Sequence, residues 1–266
     1  MKISYKQIRQ NIKENKSTFI VYVILRIIVI AALVISLARG DFESAFFCGI
    51  SLILFLLPAF CESAFGLELP SALEIIILLF IFSAQILGEL GYFYVRVPHW
   101  DTLLHTVNGF ICGAVGFALV DLLNENKNIK FQLSPIFVSV VAFCFSMTIG
   151  VLWEFWEFGC DIFLHTDMQK DFIVNELYSI ALDPTKTNKT IHLGNITDLM
   201  INGEKVPVDG YIDIGLFDTM KDLIVNFLGA AVFSVIGFFY VKSRGKGKFA
   251  SLFIPKRRKE NRLDAK

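Results

Sequence analysis

Polar positions along this chain fall almost entirely between, or at the ends of, six runs of mostly apolar residues. The runs extend from Phe19 to Ala38, Phe42 to Cys61, Ser71 to Leu90, Leu103 to Leu123, Pro135 to Phe158 and Thr219 to Val241. A helix rises about 1.5 Å per residue, so about 20 residues cross the roughly 30 Å hydrocarbon layer of a bilayer. The pattern therefore predicts an all-α, polytopic membrane protein with about six transmembrane helices. The first run is too long for a signal-peptide core and lacks a small-residue cleavage motif, which predicts a retained helix.

Only one stretch between the runs is long. Residues 166–217 carry a mixed polar sequence in which "LMINGEKVPV" reads as two short strands around Asn202-Gly203, a dipeptide favoured in type I′ turns. A small β-hairpin over the helix ends is expected there, as a lid, a recognition element or a spacer. The predicted organisation is a cytoplasmic N-terminal tail (1–18), a membrane domain (19–241) that contains this loop, and a basic cytoplasmic tail (242–266). That last tail reads as a flexible segment that fixes topology and meets anionic lipid heads.

Composition agrees with this picture. Of 266 residues, 55% are apolar and 27 are phenylalanine, and charged residues are only 19%. The formal net charge of zero hides a strong asymmetry. Lys2, Lys6, Arg9, Lys13 and Lys16 crowd the N-terminus; Lys242, Arg244, Lys246, Lys248, Lys256, Arg257, Arg258, Lys259, Arg262 and Lys266 crowd the C-terminus. Positive residues stay on the cytoplasmic side, so both tails are expected there, in a multi-pass protein of the cell membrane. Two ends on one side demand an even number of spans, in agreement with six. The link with Lys127 and Lys130 then falls inside, and residues 166–217, with four basic against eight acidic residues, fall outside. The partner this defines is the lipid bilayer; nothing points to nucleic acid. Five cysteines form no CxxC and no ligand spacing, which suits small buried hydrophobes.

Candidate chemistry lies in three sets of ionisable residues at helical spacing. Asp101 and His105 form the first; Glu154, Glu157 and Asp161 in "LWEFWEFGCDIFLH" form the second, with His165 a weaker member past the expected helix end; Asp218, Asp222 and Asn226 in "DTMKDLIVNFLG" form the third. Steps of three and four put each set on one helix face. Like charges stacked that way repel, more so near lipid, so stability alone does not select them. The topology puts all three on the outer side, where they would share one pocket. Each acid alone is also explained as an interfacial group or a helix-start acid favoured by the dipole. A divalent metal ion of unknown identity would make several carboxylates tolerable together, and oxygen donors with one imidazole suit such ions. The metal could then activate water or hold a phosphate oxygen, with a spare carboxylate as general base. A proton or ion relay uses the same residues. Gly109, Gly113 and Gly116 suit close helix packing, and Trp100, Trp153 and Trp156 suit an interface.

The stretches "GELGYFYVRVPHWDTLLHTVNGF", "FSMTIGVLWEFWEFGCD", "DMQKD" and "DIGLFDTMKDLIVNFLGA" resemble the YjdF-like bacterial membrane proteins, a family of unknown function, and are distantly similar to VanZ-like proteins. The resemblance implies that the family's polar motif falls on Asp101, His105, Glu154, Glu157, Asp161, Asp218, Asp222 and Asn226, and it names no reaction. Three functions stay open: metal-dependent hydrolysis of a lipid-linked or cell-envelope substrate, ion-coupled transport, and a non-catalytic role in an envelope complex.

Overall fold

A computed structural model of the chain describes residues 16–65, 67–124, 133–243 and 250–257. The N-terminal tail up to residue 15, the link with Lys127 and Lys130, and most of the basic C-terminal tail lie outside these residues. In chain order the helices are α1 (Lys16–Arg39), α2 (Phe42–Leu54), α3 (Leu57–Phe65), α4 (Ser71–Phe82), α5 (Phe93–Arg96), α6 (Trp100–Asn124), α7 (Pro135–Leu164) and α8 (Leu216–Lys242). Six spans of this set are long and apolar enough to cross a membrane, with α2 and α3 making one and α4 continuing to Leu90. The chain is a polytopic all-α membrane protein. Its helices turn large apolar side chains outward, such as Ile27, Val34, Phe46 and Phe155; lipid accommodates these where water would not.

Local chemistry explains the helix ends. Gly40 follows α1 at φ 72°. Its N–H donates to the Leu37 carbonyl at 3.1 Å and that of Asp41 to the Ser36 carbonyl at 2.9 Å, the two closing bonds of a Schellman turn. Asp41 then caps α2, accepting from the Ser44 N–H at 3.0 Å; the Ser44 hydroxyl first, and this N–H with it, hold its carboxyl below the ordinary range. The second span breaks at Phe55–Leu56 because Pro58 has no N–H to donate and its ring crowds the residue four back. The third span ends in a π-helical stretch, Ser83–Leu90. At Gly88 a Cβ would lie 2.4 Å from the Tyr94 ring, so the wide turn seats Tyr94 on bare backbone. Ser134 and Pro135 open α7 as cap and first helical residue, with the Phe137 N–H donating to Ser134 Oγ at 3.3 Å.

Three helices differ from the hydropathy reading in one direction. α6 begins at Trp100 rather than Leu103, α7 runs to Leu164 rather than Phe158, and α8 begins at Leu216 rather than Thr219. Asp101, Asp161 and Asp218 therefore lie within helices.

The residues form two compact units, Met1–Gly150 with Val225–Lys266, and Val151–Ile224. The first holds the hydrophobic core, with Val29, Phe55, Leu73, Leu78, Phe117, Val138 and Phe233 almost fully buried. Residues 250–257 belong to this unit and differ from a free tail. They form a 3-10 turn (Ala250–Leu252) and a strand, β8 (Lys256–Arg257), that pairs antiparallel with β1 (Leu67–Glu68).

The second unit carries three short antiparallel pairs. β2 (Ile173–Val174) pairs with β7 (Tyr211–Ile212), β3 (Leu177–Ser179) with β4 (Ile191–Leu193), and β5 (Leu199–Ile201) with β6 (Glu204–Val206). The last is the expected hairpin. Asn202 and Gly203 sit at φ 54° and 86°, the two positive values that a type I′ turn requires.

Candidate functional site

In the first unit the site is built on α6. Pro98 and His99 (φ 60°) turn the chain, and α6 starts immediately after. Asp101 stands in the first turn, where unbonded N–H groups favour an anion. His105 follows one turn later with Nε2 3.5 Å from Asp101 Oδ1, and it is only 8% exposed.

One turn further, polar groups join α6, α7 and α8. Asn108 Nδ2 donates to Asn226 Oδ1 at 3.4 Å, while Asn226 Nδ2 reaches the Ser146 carbonyl at 3.5 Å and Met147 Sδ at 3.6 Å. Ser146 Oγ donates to the Gly109 carbonyl at 2.8 Å, and Cys112 Sγ to Asn108 Oδ1 at 3.5 Å. Glycines allow this approach. A Cβ at Gly109 would lie 2.2 Å from the Asn226 carbonyl oxygen, one at Gly229 2.0 Å from that of Thr106, and one at Gly150 2.6 Å from Asn226 Nδ2. Asn226, 1% exposed, thus pins three helices at the point where their backbones nearly touch.

In the second unit α7 contributes Glu154 and Glu157, 4% and 7% exposed. Trp153 Nε1 donates to Glu157 Oε1 at 2.8 Å across one turn. Asp161 faces the following loop: Oδ1 accepts from Thr166 Oγ1 (2.8 Å) and the Met168 N–H (2.6 Å), and Oδ2 from the Gln169 N–H (2.8 Å).

The start of α8 holds the same loop from its other end. Asp218 Oδ2 accepts from the Lys170 N–H at 2.9 Å and Gln169 Nε2 donates to Thr219 Oγ1 at 2.6 Å. Lys221 Nζ lies 2.7 Å from Asp218 Oδ1 and 3.7 Å from Asp222 Oδ1, over the Phe172 ring at 5.2 Å. Asp218 and Asp222 are 2% and 1% exposed. In the loop, Asp171 is pushed above the ordinary carboxylate range, first by partial burial and then by the charges of Asp167, Asp213 and Asp161.

Of the residues expected from sequence, Asp101 meets His105, Asp218 and Asp222 share Lys221, Glu157 meets Trp153, Asn226 locks helices and Asp161 holds the loop. Several partners were not foreseen. Lys221 lies inside "DTMKD", three residues after Asp218, and Asn108 lies three after His105; helical spacing was a usable signal for both. Ser146 had none, being one of three hydroxyls, with Ser139 and Thr148, in an apolar run.

Buried ionisable side chains at one-turn spacing on membrane-length helices define a polytopic membrane protein with a polar interior, the setting in which such groups are usually functional. Residues 20–243 match the family described as "Predicted membrane protein (DUF2238)", and the chain belongs to it. No curated protein and no solved structure matches the chain.

Proposed function

We propose that the three sets serve one outward-facing site that holds a divalent metal ion and hydrolyses a lipid-linked or cell-envelope substrate. The observation that carries this reading is burial. His105, Glu154, Glu157, Asp218, Asp222 and Asn226 are all under 10% exposed. Each buried carboxylate costs several kcal/mol unless positive charge compensates it. A cation offsets that cost, and carboxylate oxygens with an imidazole nitrogen are donors that Mn²⁺, Mg²⁺ or Zn²⁺ accept. Asp101, His105, Glu154, Glu157 and Asp222 are the groups to hold it, with a remaining carboxylate as general base. When bound, the ion supplies Lewis-acid polarisation of a substrate oxygen and a lowered pKa for water. The likeness to YjdF-like and, more distantly, VanZ-like proteins accompanies this reading.

The orientation, with both termini in the cytoplasm of a cell-membrane protein, rests on the basic tails. The β1–β8 pair supports the parity it needs. Four candidate spans lie between Glu68 and Lys256, an even number, in keeping with two hydrogen-bonded segments on one side.

The test is metal content of the purified protein, thermal stabilisation by Mn²⁺ or Zn²⁺, and phosphate release from vesicles that contain a lipid diphosphate. His105→Ala and Glu157→Ala are expected to lose all three. Protein without a divalent metal, together with unchanged function in both variants, ends the proposal. One observation favours a second reading: Lys221 between Asp218 and Asp222 is an ion-pair relay suited to ion-coupled transport. Proteoliposome flux lost in Asp222→Asn would select it.

A further inference from the structure

The C-terminal segment shows a feature that neither reading uses. α8 ends at Lys242, yet eleven residues later the Phe253 ring packs edge-on against Phe110 with centroids 5.3 Å apart. Phe110 also packs edge-on against Phe233, at 5.2 Å. Phe110 is ten residues from Trp100 and fourteen from Asn124, so it lies about 15 Å and about 21 Å from the two ends of α6. Phe233 lies nine residues, about 14 Å, from the end of α8. Phe253 therefore reaches the middle depth of both helices. Ala250 (7% exposed) and Ile254 (1%) join the hydrophobic core, and the chain returns to pair with β1 at Lys256–Arg257.

Non-helical backbone at membrane depth persists only where protein surrounds it or where it lines a cavity. Here Ala250, Ile254 and Pro255 are buried against protein, while Leu252 between them is 48% exposed. The segment's anchors are slight: a three-residue 3-10 turn and a two-residue ribbon, with the apolar seat supplying the rest. Segments with so few backbone bonds belong to the least stable part of a fold. In sequence the apolar "FASLFIP" is bracketed by Lys242, Arg244, Lys246 and Lys248 before it and by Lys256, Arg257, Arg258 and Lys259 after it. Those charges favour a polar surface at both ends and leave only the middle free to enter.

We propose that residues 250–257 are a re-entrant plug that closes the helix bundle of the first unit at mid-membrane and withdraws to open it. The proposal is independent of the metal reading. The test uses the full-length chain in liposomes, with Cys48, Cys61, Cys112, Cys144 and Cys160 replaced by alanine and Ala250→Cys as reporter. A water-soluble maleimide is expected to label this reporter slowly, and Phe253→Ala or Phe110→Ala to raise the rate at least about tenfold by emptying the seat. A cysteine at the exposed Glu176, carried instead of the reporter, sets the rate for open solvent. Reporter labelling at that open rate without the Phe substitutions, or a rate that neither Phe substitution changes, overturns the plug. If the Phe variants fail to insert, Glu68→Cys with Lys256→Cys in the otherwise cysteine-free chain decides, because these residues face each other in the ribbon. Disulfide formation under mild oxidant supports the seated plug, and failure to form it overturns the proposal.

Discussion

Replacing Gly109 or Gly229 with alanine tests whether the α6–α8 contact holds the site together. Ordinary carbon contacts begin near 3.4 Å. The new Cβ at Gly109 would sit 2.2 Å from the Asn226 carbonyl oxygen, and that at Gly229 2.0 Å from the Thr106 carbonyl oxygen. Both obstacles are backbone, so a helix must move by 3.4 − 2.2 = 1.2 Å or 3.4 − 2.0 = 1.4 Å. The Asn226 bonds to Asn108 and Ser146 are already 3.4 and 3.5 Å long, so a shift of that size breaks them. Overpacking costs about 1–3 kcal/mol, and two polar bonds between membrane helices add about 0.6 kcal/mol each. The helix preference of alanine over glycine returns about 0.5–1 kcal/mol. The expected net loss is about 2–3 kcal/mol, seen as a fall of roughly 5–10 °C in thermal unfolding in detergent. Two controls share the chemistry but not the geometry. Gly113→Ala meets Phe233 Cβ at 3.2 Å, a contact that a shift of a few tenths of an ångström relieves, and Gly159→Ala meets nothing within 4 Å. They are expected to cost little and to stabilise slightly, respectively. Equal effects at all four positions, or full stability in the Gly109 and Gly229 variants, refute the close-contact argument.

Two further predictions concern the second unit. Asp161→Ala removes the acceptor for two backbone N–H groups and a hydroxyl; tryptic cleavage after Lys170 should accelerate on the order of tenfold, and unchanged cleavage would show that the loop is held elsewhere. Asp183 is covered by its own loop, accepting from Thr185 Oγ1 and from the N–H groups of Thr185, Thr187 and Lys189. The Thr185 hydroxyl first, and the N–H groups with it, hold its carboxyl well below the ordinary range. A depressed carboxylate contributes order in full above its unfolded pKa of about 3.9 and loses it as pH falls through the lower folded value. Amide exchange at Thr185, Thr187 and Lys189 should therefore stay protected down to about pH 4, and Asp183→Ala should remove that protection at neutral pH. Protection that fades between pH 7 and 5 would contradict this account.

The parts of the fold that hydropathy reveals are those whose stability is local. Each span carries its own apolar surface and its own backbone bonds, so six of them are legible one at a time. Their ends are less so, because a hydropathy reading stops at a charge whereas backbone bonding does not. The apolar run ends at Phe158, yet α7 continues to Leu164 and uses Asp161 to hold the loop beyond. Likewise Asn202-Gly203 announces its hairpin through turn chemistry, but Ile173 pairs with Ile212 across nearly forty residues, and two-residue strands leave no alternation to read. The site divides in the same way. One-turn spacings of Asp101 with His105 and of Asp218 with Asp222 are written in the chain, and the structure keeps both. The interlock of Asn108, Asn226 and Ser146 depends on which faces meet, which glycines at 109 and 229 permit but do not specify. The C-terminal segment is the sharpest case. Read by charge it is a tail for the lipid surface, and read by its seven residues "FASLFIP" it is apolar enough to enter the core. Charge fixes where its ends belong and apolar burial fixes where its middle belongs, and a re-entrant path satisfies both.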